Sequence, residues 1–96
     1  MSESSWQKIA PNYYEQWLKD LKTLVKIPSV KSTQTSDKSH PYGVGVKQAL
    51  DQMLSFAARD GLRFGCVADR VGYIEYGQVA ASETVGILVH VDVVPV

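Results

Sequence analysis

The stretch Val85-Gly-Ile-Leu-Val-His90-Val-Asp92-Val-Val94 decides the fold. Side chains of a strand alternate between its two faces, and here both faces are apolar apart from His90 and Asp92. Near-continuous apolar strands are typical of a sheet that helices cover on both sides. We therefore predict a central strand over Glu83–Val94. Pro95 ends it, because proline cannot donate a ladder hydrogen bond.

Two further strands are predicted upstream of this stretch. Leu62–Val67 is a short candidate, and Val71–Tyr76 is rich in aromatic and β-branched residues. Ala68–Arg70 between them is predicted to be a turn. Gly77–Ser82 is predicted to be a loop that leads into the central strand.

Two helices are predicted to precede the strands. The first begins near Pro11, which suits a first helical turn, and stops before Pro28. The second ends at Gly61, which can adopt the positive φ of a helix C-cap. Between the helices, Ser29–Gly45 is polar and is predicted to be a connector. Each helix has an apolar stripe with residues spaced by three and four. The stripe of the first helix consists of Tyr14, Trp17, Leu18, Leu21, Leu24 and Val25. The stripe of the second helix consists of Val46, Ala49, Leu50, Met53, Leu54 and Ala57.

This order of elements predicts an α/β fold, part of a three-layer sandwich with a mixed, mainly parallel sheet. A buried central strand needs neighbours on both edges and helices on both faces. The 96 residues supply only part of that cover. We therefore expect the chain to be a truncated part of a larger domain.

Composition excludes several classes of partner. Ten basic and ten acidic side chains give a net charge of zero, so nothing attracts nucleic acid or an anionic membrane by bulk electrostatics. The single cysteine, Cys66, excludes an internal disulfide framework. Met1–Lys8 lacks the pattern of a signal peptide, and the apolar run Val85–Val89 is too short to span a bilayer. We expect a cytoplasmic protein.

The chemistry is predicted at His90 and Asp92. Residues two apart on a strand point to the same face, and ligands bind at the carboxyl ends of strands in α/β sheets. A neutral imidazole is the commonest metal ligand, and a carboxylate often accepts its other N–H. A purely structural role for His90-Val91-Asp92 stays open as the alternative. An H-x-D triplet is common by chance, and a buried histidine is often an ordinary core residue. Burial of an unpaired Asp92 would nevertheless cost on the order of 2–7 kcal/mol.

The sequence around these residues resembles the H-x-D-V-V-P signature of the aminoacylase/carboxypeptidase family of dinuclear zinc peptidases. The signature is matched by Leu88–Pro95, except that Val89 replaces a frequent glycine. Leu18–Val30 is similar to the family's first helix and its I-P-S-V turn. Tyr42–Gly61 is similar to the second helix of bacterial dipeptidases acting on β-Ala-Xaa, and Val71–Gly77 to the strand before the signature.

The resemblance implies a role for each residue of the pair. His90 corresponds to a histidine ligand of one of two zinc ions, and Asp92 to the catalytic acidic residue that orients it. The domain implied for residues 1–96 is the N-terminal part of the catalytic domain, without the lid or dimerisation domain. The remaining zinc ligands are expected beyond Val96. The implied function is hydrolysis of dipeptides or small N-acyl amino acids by the full-length parent, and we expect the isolated chain to be inactive, since a catalytic zinc keeps about three protein ligands.

Two other classes of function stay open. The chain could be a non-catalytic remnant that acts as a structural or interaction module and associates with itself through an exposed sheet edge. A weaker alternative is a small doubly wound ligand-binding domain without metal.

Four other features favour structural explanations. His40 is predicted to be solvated and Cys66 to be a buried structural thiol. Gly43–Gly45 lacks the pattern of a phosphate-binding loop and is predicted to be a flexible entry to the second helix. Tyr14 and Trp17 are predicted to pack the first helix onto the sheet rather than to bind a partner.

Overall fold

A computed structural model describes residues 3–95 of the chain, and only the backbone of residues 3, 4 and 6. Met1 and Ser2, where the segment predicted to lack a signal peptide begins, lie outside the described residues, as does Val96. The elements are two helices, α1 (Glu3–Val25) and α2 (Val44–Arg59), followed by two strands, β1 (Arg63–Val67) and β2 (Val71–Glu75). The chain is therefore mixed α/β, as predicted.

Helix α1 begins earlier than predicted. Pro11 lies inside it rather than in its first turn, so one amide hydrogen bond is missing from its interior. Gln7, Lys8 and Ala10 are good helix formers, which explains why the helix also forms on the N-terminal side of the proline. It ends at Val25, before Pro28, as the restriction on the residue preceding proline requires.

The predicted packing of α1 onto the sheet is wrong. The rings of Tyr14 and Trp17 contact each other, with centroids 5.9 Å apart, but both side chains are exposed. An open groove of about 300 Å³ lies between Trp17 and Leu21 of α1 and Met53 of α2. An amphipathic stripe predicts which face of a helix is apolar, but whether a surface covers that face depends on the rest of the fold.

Helix α1 is joined to the end of α2 through Arg59. Its Nη1 and Nη2 donate to the two carboxylate oxygens of Asp20 at 2.9 and 3.0 Å. Its Nε donates to Oδ1 of Asp60 at 2.9 Å, and its guanidinium lies 4.9 Å from the ring centre of Phe56. Hydrogen bonds from Arg59 lower the pKa of both carboxyl groups. Bidentate pairing of this kind fixes orientation as well as charge.

Helix α2 carries the core of the described residues. Its C-terminus is the predicted one: Gly61 has a φ of 71°, its amide donates to the Ala58 carbonyl at 3.2 Å, and the Leu62 amide donates to the Ala57 carbonyl at 2.9 Å. These two bonds define a Schellman motif. The buried apolar side chains are Ile27, Val46, Ala49, Leu54 and Ala57.

Strands β1 and β2 lie where strands were predicted, and together they form a hairpin. They pair antiparallel, with Phe64 opposite Ile74 and Val67 opposite Val71. The turn between them has φ values of 55° at both Ala68 and Asp69. Positive φ at consecutive turn residues matches the right-handed twist of the flanking strands.

The third predicted strand, Glu83–Val94, does not form in residues 3–95. Its only ladder contact there is an isolated parallel bridge between Val93 and Val30. Val85, Ile87 and Leu88 are 87–98% exposed. A strand exists only where neighbouring strands accept and donate its backbone hydrogen bonds, and β1 and β2 pair with each other instead. The predicted mainly parallel sheet and three-layer sandwich are accordingly absent from the described residues.

The connector is fixed to the first turn of α2 by a close backbone contact. A Cβ atom on Gly45 would lie 1.9 Å from the carbonyl oxygen of Pro28, so only glycine fits. The amide of Val44 donates to Oγ1 of Thr35 at 3.0 Å. Gly43–Gly45 is therefore a packed crossing point rather than the flexible entry predicted.

Replacing Gly45 with alanine is expected to destabilise the chain by about 2 kcal/mol, because the overlap with Pro28 outweighs the higher helix propensity of alanine. Urea unfolding followed by circular dichroism measures the effect. The matched control is Gly86→Ala, whose Cβ would meet no atom within 4 Å and which is expected to stay within about 0.5 kcal/mol of the original chain. Equal midpoints for the two variants would contradict the close contact.

No helix in the described part of the chain is long and apolar enough to cross a membrane.

Candidate functional site

His90 and Asp92 contact each other. Nδ1 of His90 lies 3.1 Å from Oδ1 of Asp92 and 3.0 Å from the backbone carbonyl oxygen of Asp92. The backbone of residues 90–92 belongs to no helix or strand, so this contact is made without a sheet around it. The structure thus brings together the two residues that the sequence singles out.

The two neighbours of Nδ1 determine which nitrogen of His90 carries the proton. A backbone carbonyl oxygen and an ionised carboxylate oxygen can only accept hydrogen bonds. Nδ1 must therefore be the donor, and in the neutral imidazole the lone pair lies on Nε2. Nε2 makes no hydrogen bond within residues 3–95. A histidine with this arrangement has the chemistry of a metal ligand whose tautomer is set by a carboxylate.

The pair is exposed rather than buried. The side chain of His90 is 83% exposed and that of Asp92 56% exposed, and neither lines the groove between α1 and α2. The burial expected at the carboxyl end of a central strand is therefore absent, for the same reason that the strand itself is absent. A solvent-exposed contact of this kind contributes little to stability.

A backbone hydrogen bond attaches the pair to the folded part of the chain. The amide of Val93 donates to the carbonyl oxygen of Ser29 at 3.0 Å, and Ser29 is only 3% exposed. Only the family resemblance singles out the Ile27–Val30 turn in the sequence. The only local signal was the serine that follows Ile-Pro. Its hydrogen-bond partner, Val93, is far away in the sequence.

The donor set for a metal is incomplete in the described residues. No group of three or more histidine, cysteine, aspartate or glutamate side chains there could hold an ion together. His90 offers one nitrogen, and Asp92 has one oxygen engaged with Nδ1. The pair fits one edge of a metal site, namely a ligand with its orienting carboxylate.

His40 and Cys66 have other surroundings. His40 is half-buried, and its Nδ1 lies 2.8 Å from Oδ1 of Asp37. That hydrogen bond lowers the pKa of Asp37, whose Oδ1 also accepts from the amides of Ser39 and His40 at 2.9 and 2.8 Å. This arrangement is a local turn. Cys66 is exposed on β1, so its predicted burial is wrong, because α2 covers the hairpin only in part.

Comparison with curated proteins finds relatives named "Putative dipeptidase". Those of Staphylococcus aureus strains USA300, NCTC 8325 and MRSA252 are each 39% identical to this chain over 90 residues. The match covers 94% of this chain and 19% of each relative, so the chain spans about a fifth of their length. No family model matches the chain. The similarity supports a dipeptidase-like relationship for nearly all of the chain.

Proposed function

We propose that this chain is the N-terminal part of the catalytic domain of a dinuclear zinc dipeptidase. His90 would bind one of the two zinc ions through Nε2, and Asp92 would orient the imidazole. The observation that carries the proposal is the hydrogen bond from Nδ1 of His90 to Asp92, which leaves the Nε2 lone pair free. The 39% identity to proteins named as dipeptidases supports the substrate class.

The two residues have separate tasks in this proposal. His90 holds one coordination position with a neutral nitrogen. Asp92 keeps the proton on Nδ1, and its negative charge makes the opposite nitrogen more basic. When bound, zinc supplies polarisation of the peptide carbonyl and a water that ionises near neutral pH. The other ligands and the general base belong to parts of the enzyme beyond Val96.

Residues 83–94 also have a structural role in the proposed enzyme. In the complete domain this segment forms the central strand of a mainly parallel sheet in a three-layer sandwich. The parallel bridge between Val30 and Val93 supports that direction of pairing. The exposed apolar side chains of Val85, Ile87 and Leu88 are then covered by other parts of the domain. The enzyme acts in the cytoplasm on a small dipeptide.

One observation favours a second candidate. The same exposed segment, Val85–Val89, has high β propensity and no charge, which are properties of segments that pair with copies of themselves. As a non-catalytic remnant, the chain would associate through this edge. This candidate would be favoured if the sedimentation coefficient of the 96-residue chain rose with concentration. The Leu88→Lys variant should then show no such rise.

The experiment that tests the proposed function is hydrolysis by the complete protein. Purified protein is incubated with β-Ala-Xaa dipeptides, α-dipeptides and N-acetyl amino acids, before and after removal of metal with a chelator. We expect hydrolysis of dipeptides, its loss on chelation and its recovery with added zinc. The 96-residue chain alone serves as the control and is expected to show no turnover. Hydrolysis that persists unchanged in chelator would refute the metal-dependent mechanism.

A further inference from the structure

A single peptide group joins His90 to the buried turn at Ser29. The carbonyl of the Asp92–Val93 peptide accepts from Nδ1 of His90 at 3.0 Å. The amide N–H of the same peptide donates to the Ser29 carbonyl at 3.0 Å. The peptide plane is rigid, so holding its N–H also fixes the direction of its C=O.

The anchor for this peptide group is itself held firmly. Ser29 is 3% exposed, and its amide donates to the carbonyl of Ile27 at 2.8 Å. The ring of Pro28 restricts the backbone before it. On the other side the backbone of Gly45 lies so close to Pro28 that a Cβ there would overlap its carbonyl. By contrast, residues 83–92 have no backbone hydrogen bond of their own to the helices or the hairpin.

We propose that Ser29 is a positioning residue for His90, acting through the Asp92–Val93 peptide to hold the imidazole in its Nδ1–H tautomer. This inference rests on the proposed function, because keeping Nε2 free matters only if zinc binds there. The tautomer of His90 can nevertheless be measured in this chain alone. The side chain of a free histidine in water favours the opposite tautomer, with the proton on Nε2, so the chain must supply the preference.

The hydrogen bond between Val93 and Ser29 favours a proton on Nδ1 of His90 in two ways. Donation from the Val93 amide to Ser29 polarises the peptide and makes the Asp92 carbonyl a stronger acceptor. It also keeps that carbonyl directed at Nδ1. Without the Ser29 contact, the exposed Asp92–Val93 peptide would rotate and expose its carbonyl to water. Only the carboxylate of Asp92 would then favour a proton on Nδ1.

The test removes the Val93 amide hydrogen while leaving His90, Asp92 and Ser29 unchanged. Val93→Pro deletes the donor, and Val94→Pro is the matched control because the Val94 amide makes no hydrogen bond in the described residues. The tautomer of His90 is read from the ¹⁵N shifts of its two ring nitrogens in the 96-residue chain. The measurement is made at about pH 8, where imidazoles are neutral. The shifts of the hairpin amides report whether each variant is folded.

We expect Nδ1–H to dominate in the original chain and in Val94→Pro. In Val93→Pro the ratio of Nδ1–H to Nε2–H should fall about fivefold, the effect of losing one typical hydrogen bond. An unchanged ratio in Val93→Pro would overturn the positioning role of Ser29, while leaving the proposed zinc ligand in place. Loss of the preference in both variants equally would also overturn it.

Amide exchange gives a second measurement that needs no variant. The Val93 amide should exchange more slowly than the Val94 amide in the original chain, because only the former is bonded. Equal exchange rates would refute the anchor at Ser29. Failure of the proposed function is distinguished by the hydrolysis assay, which does not depend on either result.

Discussion

If the proposed function is right, replacement of His90 by alanine in the complete protein is expected to lower kcat/KM for dipeptide hydrolysis at least about a thousandfold. Loss of a zinc ligand removes the polarisation of the carbonyl and the activation of water, which is worth several kcal/mol, and each 1.4 kcal/mol is about a factor of ten in rate. The zinc content of the purified variant, measured by mass spectrometry, should fall together with the rate.

The chain supplies a matched control for that variant. His40 also has its Nδ1 on an aspartate, at 2.8 Å from Asp37, but this pair belongs to a local turn in the connector. His40→Ala should change kcat/KM by no more than about twofold, as expected for a surface substitution. Full activity in His90→Ala would remove this histidine from the site. Equal losses in both variants would show an effect on folding instead.

Replacement of Asp92 by asparagine is expected to lower zinc affinity or kcat/KM by about 10–100-fold, the usual effect of altering a carboxylate that orients a metal-bound histidine. The asparagine side chain keeps the size and one acceptor oxygen but loses the charge that makes Nε2 more basic. Zinc affinity is measured by competition with a chromophoric chelator, and hydrolysis is measured at saturating zinc.

The control for this substitution is Asp37→Asn, which alters the second histidine–aspartate pair of the chain. It should leave zinc affinity unchanged. An Asp92→Asn enzyme with the original affinity and rate would show that the carboxylate near Nδ1 has no part in the chemistry.

Local features of the sequence were sufficient for half of the fold. Helix α2, its C′ residue Gly61 and the turn at Ala68–Arg70 all lie where they were predicted. Each of these depends on residues a few positions apart: an apolar stripe, a glycine that adopts positive φ, a short turn between two β-rich segments. Such signals are complete within their own stretch of chain.

The predictions that failed depend on distant contacts. Strand Glu83–Val94 needed neighbouring strands, and Tyr14, Trp17 and Cys66 needed surfaces to cover them. An apolar pattern states what a segment can bury but does not supply the partner. Pro11 is a different case, because good helix formers before it extend α1 through the proline.

In the candidate site, too, the local contact could be predicted and the distant one could not. The period of two in an extended chain predicts that His90 and Asp92 share a side, and the structure places them in contact. The contact at Ser29 could not be predicted, because the hydrogen bond from the Val93 amide joins two segments that are far apart in the sequence. No local pattern in either segment indicates the other.

The proposed function depends above all on the binding of zinc by Nε2 of His90 in the complete protein. The most direct test is a crystal structure of the zinc-loaded protein, with the metal located by its anomalous scattering. We expect a zinc ion about 2.0–2.1 Å from Nε2 of His90, with Nδ1 still hydrogen-bonded to Asp92. A metal site elsewhere, with the His90 ring in solvent or bound through Nδ1, would contradict it.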